Sequence, residues 1–227
     1  MGWLVGLGAE FTGRDDLRYV DSWGREGQPP AHTSHYFPYA GMFFMRNDWT
    51  PRARYLAFDG GRNLGGYQHP HMDQLSFILA AYGHTLVTDT GYGGPWHGRW
   101  RQEYYVATPG HNAIAVDGQW QAQYPEAHPE ENQRWNTRPM IGNLWSVSPG
   151  LVARGISPEP IVGNRWLSDE SFDYARSAYD QGFTRDPQSP VAERLQVVHE
   201  RRVLFLKPDY WIITDFLEGD GESEFEA

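Results

Sequence analysis

"HPHMDQLSFILAAYGHTLVTDTGYG", residues 69–93, sets a polar opening before two short apolar runs that flank Tyr82-Gly83-His84. The runs Leu75 to Ala81 and Thr85 to Thr88 are short, suit a pleated surface and are split by a turn signal, so they predict a β-hairpin. A hairpin returns the end of its second strand to the start of its first. His71, before the first strand, and Asp89, at the end of the second, therefore become neighbours in space. His69 and His71 are two positions apart and project to one side of an extended chain, with Asp73 next in line.

The same grammar continues outward. Tyr39 to Met45 and Arg54 to Phe58 are aromatic-rich runs bounded by Pro, Asn and Gly; "HNAIAVDGQWQ" (111–121) is a strand entering an Asp-Gly turn; "RRVLFLKPDYWIITDF" (201–216) is two strands around Pro208-Asp209. Helical periodicity is nearly absent after residue 35. The predicted fold is all-β, two antiparallel sheets packed as a sandwich over residues 34–227. Residues 1–33, ending in the Gly- and Pro-rich "GREGQPPAH", read as a linker or the end of another domain, irregular or helical. A last strand starts near Glu222 and breaks off, which predicts either a piece of a longer protein, because intact sheets avoid unpaired edges, or a frayed last strand.

Composition narrows the function classes. The 15% aromatic fraction, with 25 Gly and 16 Pro, favours short strands and tight turns over helices. The absence of cysteine removes disulfides, thiolate metal sites and a cysteine nucleophile, leaving His, carboxylate and water as metal ligands. A formal net charge of −10 argues against nucleic acid. Acidic and basic residues balance up to Arg101, so an anionic ligand remains compatible with the histidine segment. No apolar run approaches the roughly 18 residues of a membrane span, and no basic segment precedes the apolar stretch at the start, so no signal peptide is expected within this sequence.

His111 opens a strand after the aromatic and basic loop from Gly91 to Gly110. Two imidazoles and a carboxylate from adjacent strand ends, His71, Asp89 and His111, suit zinc, which accepts nitrogen and oxygen ligands and keeps a water as its fourth. The plain alternative is a polar loop in which Asp89 caps the turn before Gly91 and Asp73 bonds its local backbone.

Taken together, "SHYFPYAGMFFMRNDWTPRARYLAFDGG" (34–61), the stretch 69–93, "TPGHNAIAVDGQWQ" (108–121), "FDYARSAYDQGF" (172–183) and "HERRVLFLKPDYWIITDFLEGDGE" (199–222) resemble, in order and spacing, the β-sandwich of the heparinase II/III-like polysaccharide lyases. The resemblance implies cleavage of a uronic-acid polysaccharide, heparin/heparan-like or alginate-like, by β-elimination. That reaction needs donors or positive charge at the uronate carboxylate, a base for the neighbouring proton and an acid for the departing oxygen.

Carried over by residue, the resemblance implies that His69 is a catalytic histidine facing the cleft and that His71, Asp89 and His111 hold zinc, mainly as a structural metal. Tyr104 and Tyr105 stand where the family places cleft-facing side chains. Arg99 and Arg101 are candidates to pair with a uronate carboxylate, and Trp96 and Trp100 to stack on sugar rings. A solvated loop and ordinary packing are the plain readings of these residues. His84, His97, His128 and His199 read as ordinary polar residues.

The family's α/α toroid supplies its catalytic tyrosine, and residues 1–33 are too short to be more than its last piece, so this chain alone is expected to be inactive or barely active. Expected partners are the anionic polysaccharide, the helical toroid domain and, in a homodimer, a second copy; the expected location is periplasmic or secreted. Two other readings compete: a non-catalytic carbohydrate-binding or structural sandwich, and a cupin-like metalloenzyme. The cupin reading calls for a glutamate shortly after the histidine pair, and "MDQLSFILA" has none.

Overall fold

Apolar side chains that alternate with period two can bury only one face of each strand, so they drive two sheets to pack face to face. In the computed structural model, which describes residues 2–61, 71–91, 100–122, 163–186 and 189–226, that is the architecture. Strands β1 (His35–Phe37), β2 (Met42–Arg46), β3 (Tyr55–Asp59), β4 (Phe77–Ala81) and β5 (His84–Val87) form one antiparallel sheet in sequence order. A two-stranded ladder joins β6 (Ala115–Val116) to the last strand, β11 (Phe225–Glu226). The second large sheet runs β10 (Tyr210–Gly219), β9 (Val197–Leu206), β8 (Phe172–Tyr179), β7 (Arg165–Ser168).

The core fills the space between the sheets. Phe43, Met45, Leu56 and Phe58 from the first meet Ala175, Tyr179, Val203 and Phe205 from the second, all essentially excluded from solvent. Phe43 stacks on Phe58 with ring centroids 5.3 Å apart and reaches Trp166 of the other sheet at 5.9 Å. Each such aromatic contributes roughly 1.5–3 kcal/mol by burial. On β8 every second residue from Asp173 to Tyr179 is buried, the pattern of a strand with one face in the core.

The expected hairpin is present, with Ala81 opposite His84. The Asp-Gly turn is present as well: Asp117 and Gly118 both take positive φ, 50° and 65°, and Val116 and Gln119 exchange backbone hydrogen bonds. The expected strand near Glu222 begins at Phe225 and is paired with β6.

Residues ahead of the sandwich form two helices, α1 (Gly2–Thr12) and α2 (Asp15–Asp21). Leu4, Leu7 and Phe11 of α1 stand exposed. No helix among the described residues is long and apolar enough to cross a membrane. One expectation fails within the core: His199, read as an ordinary polar residue, is fully buried and bonds Asp215 through Nε2 at 2.7 Å. Its position on β9 places it diagonally from Asp215 on β10, within reach of a cross-strand pair.

Candidate metal centre

The segment 71–76 crosses the end of the first sheet and is pinned by its own backbone. Met72 donates its N–H to the Val106 carbonyl at 2.8 Å and accepts the Thr108 hydroxyl at 2.9 Å, while its side chain is buried. The chain bends at Met72, whose side chain is turned inward, and the flanking His71 and Asp73 come together, with His71 Nδ1 3.9 Å from Asp73 Oδ2.

His111 arrives from the opposite direction. A 3-10 turn, Thr108–Gly110, precedes it, and the His111 N–H closes onto the Thr108 carbonyl at 3.0 Å. Gly110 permits this turn by close approach: a Cβ there would sit 2.2 Å from the Tyr104 carbonyl oxygen. Asn112 then docks the segment on β4. Its side-chain amide accepts the Phe77 N–H at 2.7 Å and donates to the Phe77 carbonyl at 2.6 Å, substituting for a strand partner.

As a result, one potential ligand atom from each of His71, Asp73 and His111 lies within 4.8 Å of the others. The His71 and His111 ring centroids are 5.2 Å apart, and His71 Nδ1 is 3.9 Å from Asp73 Oδ2. Asp89 completes the cluster from the end of the hairpin, 2.6 Å from His111 Nδ1. It also accepts the Gly91 N–H at 2.7 Å, so the cap read from the sequence exists alongside the imidazole contact. The convergent group thus contains two of the three residues expected to hold metal, His71 and His111, with Asp73 as its third member, and Asp89 reaches it through the His111 ring. Asp59, at the end of β3, was missed from the sequence; the nearby charges of Asp73 and Asp89 act on its carboxyl group.

The electrostatics of this cluster suit a cation. Burial, followed by the charge of Asp73, pushes the Asp59 carboxyl up to about 7. Burial also raises Asp73, with His111 opposing and Asp89 adding to the rise. At Asp89, burial is outweighed by the bonds from His111 and the Gly91 N–H, and the carboxyl lies below its ordinary value. Burial lowers His111, but the bond to Asp89 and the charges of Asp73 and Asp89 outweigh it, and the imidazole lies above its ordinary value. Three carboxylates held near one another repel, and a divalent cation relieves that repulsion. His111 Nε2 is buried with no hydrogen bond of normal geometry among the described residues, and the Tyr105 backbone also acts to raise this imidazole.

The remaining candidates divide. His69, Trp96 and Arg99 lie outside the described residues. Trp100 is strongly exposed, and Arg101 begins a π-helical turn, Arg101–Tyr105. Tyr104, exposed, and Tyr105, half-buried, pack edge to face at 5.6 Å on that turn, upstream of His111. His84 is exposed in the hairpin turn, as expected, and His97 and His128 lie outside the described residues.

Comparison with known proteins gives the same frame. The sequence profile of the family described as Heparinase II/III-like, C-terminal matches residues 29–227. A heparin-sulfate lyase of Bacteroides thetaiotaomicron is 26% identical over 91 residues, 36% of this chain and 13% of that protein. The solved heparan sulfate lyase of Pedobacter heparinus superposes with a TM-score of 0.67 at 17% identity, over 99% of this chain and 28% of its own. A solved heparinase III gene product gives 0.65 at 18% identity with the same coverage. At these identities the structural likeness establishes the β-sandwich. The chain spans less than a third of the length of these relatives. With a family profile running through nearly the whole sandwich, the protein belongs to the Heparinase II/III-like, C-terminal family.

Proposed function

We propose that this chain is the β-sandwich part of a polysaccharide lyase that cleaves a uronic-acid polysaccharide by β-elimination, and that its cluster of histidines and aspartates holds zinc. The observation that carries the metal reading is the convergence of His71, Asp73 and His111 within 4.8 Å, with Asp89 on the His111 ring. A cation there draws on His71 and His111 for nitrogen and on Asp73 and Asp89 for oxygen. When bound, zinc supplies a fixed positive charge that offsets the clustered carboxylates and ties three chain segments together.

The elimination itself falls to side chains around this centre. His69 is the proposed cleft-facing histidine. Tyr104 and Tyr105 are the candidate proton donors on this chain; the exposure of Tyr104 supports its availability to a ligand. Arg99 and Arg101 are proposed to offset the uronate carboxylate, easing loss of the adjacent proton, while Trp96 and Trp100 flank the sugar rings. The opposite wall of the cleft belongs to a helical toroid domain. The apolar residues that α1 exposes, Leu4, Leu7 and Phe11, support packing against further helices. A polymeric glycan substrate points to a periplasmic or secreted protein.

Two measurements test this reading. Elemental analysis of the purified chain is expected to find stoichiometric zinc that His71→Ala and His111→Ala lose; unchanged metal in both variants refutes the metal centre. In the longer protein containing the helical domain, His69→Ala is expected to lower the release of unsaturated uronate from heparan sulfate or alginate by ~100-fold or more. Full turnover by that variant removes His69 from the mechanism.

A further inference from the structure

Behind the cluster, one guanidinium joins three parts of the chain. Arg201, on β9, is 4% exposed. Its Nε and Nη2 donate to Asp215 Oδ1 and Oδ2 at 2.7 and 3.0 Å, a bidentate pair across the register of β9 and β10. Its Nη1 points the other way and donates to the Leu75 carbonyl at 2.7 Å and the Asn112 carbonyl at 2.6 Å. Leu75 is two residues beyond Asp73, and Asn112 directly follows His111. A single planar fork thus spans the two segments that carry His71, Asp73 and His111.

The backbone at one of those contacts is strained. Leu75 has φ +70°, the left-handed region that a branched side chain occupies only under strain. Its conformation is held from both sides: its N–H donates to the Asp59 carbonyl at 2.8 Å, and its carbonyl takes the Arg201 bond. The same turn includes the Ser76 N–H bond to the Asp73 carbonyl at 2.9 Å, so fixing Leu75 fixes the aim of Asp73. His199 buttresses the far end by bonding Asp215 Oδ1 at 2.7 Å.

We propose that Arg201, anchored by Asp215, is a positioning residue for the cation site, setting the separation between the His71–Asp73 segment and His111. The inference rests on the reading of that cluster as a cation site. Arginine suits the task because its fork donates in two directions at once; a lysine ammonium on a flexible stem cannot hold a bidentate carboxylate and two carbonyls together.

The test compares the wild-type chain with Arg201→Lys, Asp215→Asn and the control Asp173→Asn. Asp173 is a buried carboxylate bonded to Ser34, Ser168 and Lys207, away from the cluster. Cobalt(II) affinity is measured by competition with a chelator, the visible spectrum of bound cobalt reports ligand geometry, and thermal unfolding of the metal-free chain reports stability. Arg201→Lys and Asp215→Asn are expected to weaken cobalt binding at least about tenfold and alter the spectrum. Asp173→Asn is expected to lower the unfolding midpoint while leaving both cobalt readouts as in the wild type. Folded Arg201→Lys with wild-type affinity and spectrum overturns the proposal. Equal weakening by Asp173→Asn also overturns it, since generic stability then explains the effect. Should Arg201→Lys and Asp215→Asn both fail to fold, Arg201 is a folding determinant and the positioning role is lost. A wild-type chain that binds no cobalt removes the cation site itself, and the strut with it; binding by the wild type with unchanged variants removes the strut alone.

Discussion

His111 Nδ1 lies 2.6 Å from Asp89 Oδ2, which fixes one nitrogen of a side chain that is fully buried. A carboxylate in that position sets the tautomer and orientation of the imidazole.

Two carboxylates of the cluster, Asp73 and Asp89, are separable by substitution. Asp73→Asn removes a charged oxygen from the group that converges within 4.8 Å, and Asp89→Ala removes the partner of His111. Each is expected to weaken zinc binding by about 10–100-fold in a chelator competition. Asp89→Ala is further expected to destabilise the metal-free chain by about 1–3 kcal/mol in urea, because a buried nitrogen loses its bond. Wild-type zinc affinity in Asp73→Asn would show that Asp73 is not a ligand.

Removing the metal tests its structural weight. A ligand that binds only the folded chain stabilises it by mass action, so chelation is expected to lower the thermal midpoint of the wild type and leave that of His111→Ala unmoved. Equal midpoints with and without chelator in a zinc-loaded wild type contradict a structural role.

The Asp215 pair gives a signed pH dependence. Burial opposes ionisation, but the bonds from His199 and Arg201 and the charge of Arg201 win, pulling the carboxyl down from 3.8 to about 2. A depressed carboxyl stabilises the fold fully above its unfolded value and loses that contribution as pH falls through its folded value. The gap in urea midpoint between wild type and Asp215→Asn is therefore expected to hold above about pH 5 and to narrow progressively toward about pH 2. A gap that widens on acidification rules out this assignment.

Asn112 is a side chain acting as backbone. Asn112→Ala leaves the Phe77 N–H and carbonyl without that partner, with an expected cost of about 1–3 kcal/mol and weaker metal binding, since His111 is adjacent. Asn112→Asp keeps the acceptor for the Phe77 N–H but sets a carboxylate oxygen against the Phe77 carbonyl in place of a donor, so it is expected to cost at least as much as Asn112→Ala. Urea unfolding and zinc competition on both variants check the order.

Tyr179 offers a contrasting polar site in the core. Its hydroxyl donates to the Gly182 carbonyl at 2.6 Å and accepts the Ala122 N–H at 2.7 Å. Tyr179→Phe keeps the ring packing and leaves two backbone groups unpaired, so a loss of about 2 kcal/mol is expected with zinc affinity unchanged. Loss of zinc binding in this variant would tie the core network to the metal cluster.

Local signals made much of the architecture legible. The Tyr82-Gly83 and Asp117-Gly118 turns, the short aromatic runs and the paired strands around Pro208 each follow from residue chemistry within a few positions. The two N-terminal helices were harder to read, because their apolar residues do not form a clean stripe: Leu4, Leu7 and Phe11 remain exposed. His71 and Asp89 were readable as neighbours because a hairpin returns its ends together, while His111, on a separate segment, joined them only as a third strand end and through the family resemblance. Asp73 was ambiguous, since an aspartate beside a turn bonds local backbone just as readily; the bend at Met72 brings it beside His71.

The sequence by itself determined most of the strands and the turns that join them, since these depend on alternation and turn chemistry over short spans, while the order and spacing of its motifs along the whole chain carried the resemblance to the family. Only the tertiary structure decided that Asp59 acts on the cluster, that His199 is buried on Asp215, and that Arg201 reaches Leu75 and Asn112 across 126 and 89 positions of chain. The physical reason is that a guanidinium's partners are set by which sheet lies across the core, and no local pattern along a strand encodes which distant carbonyls it will meet.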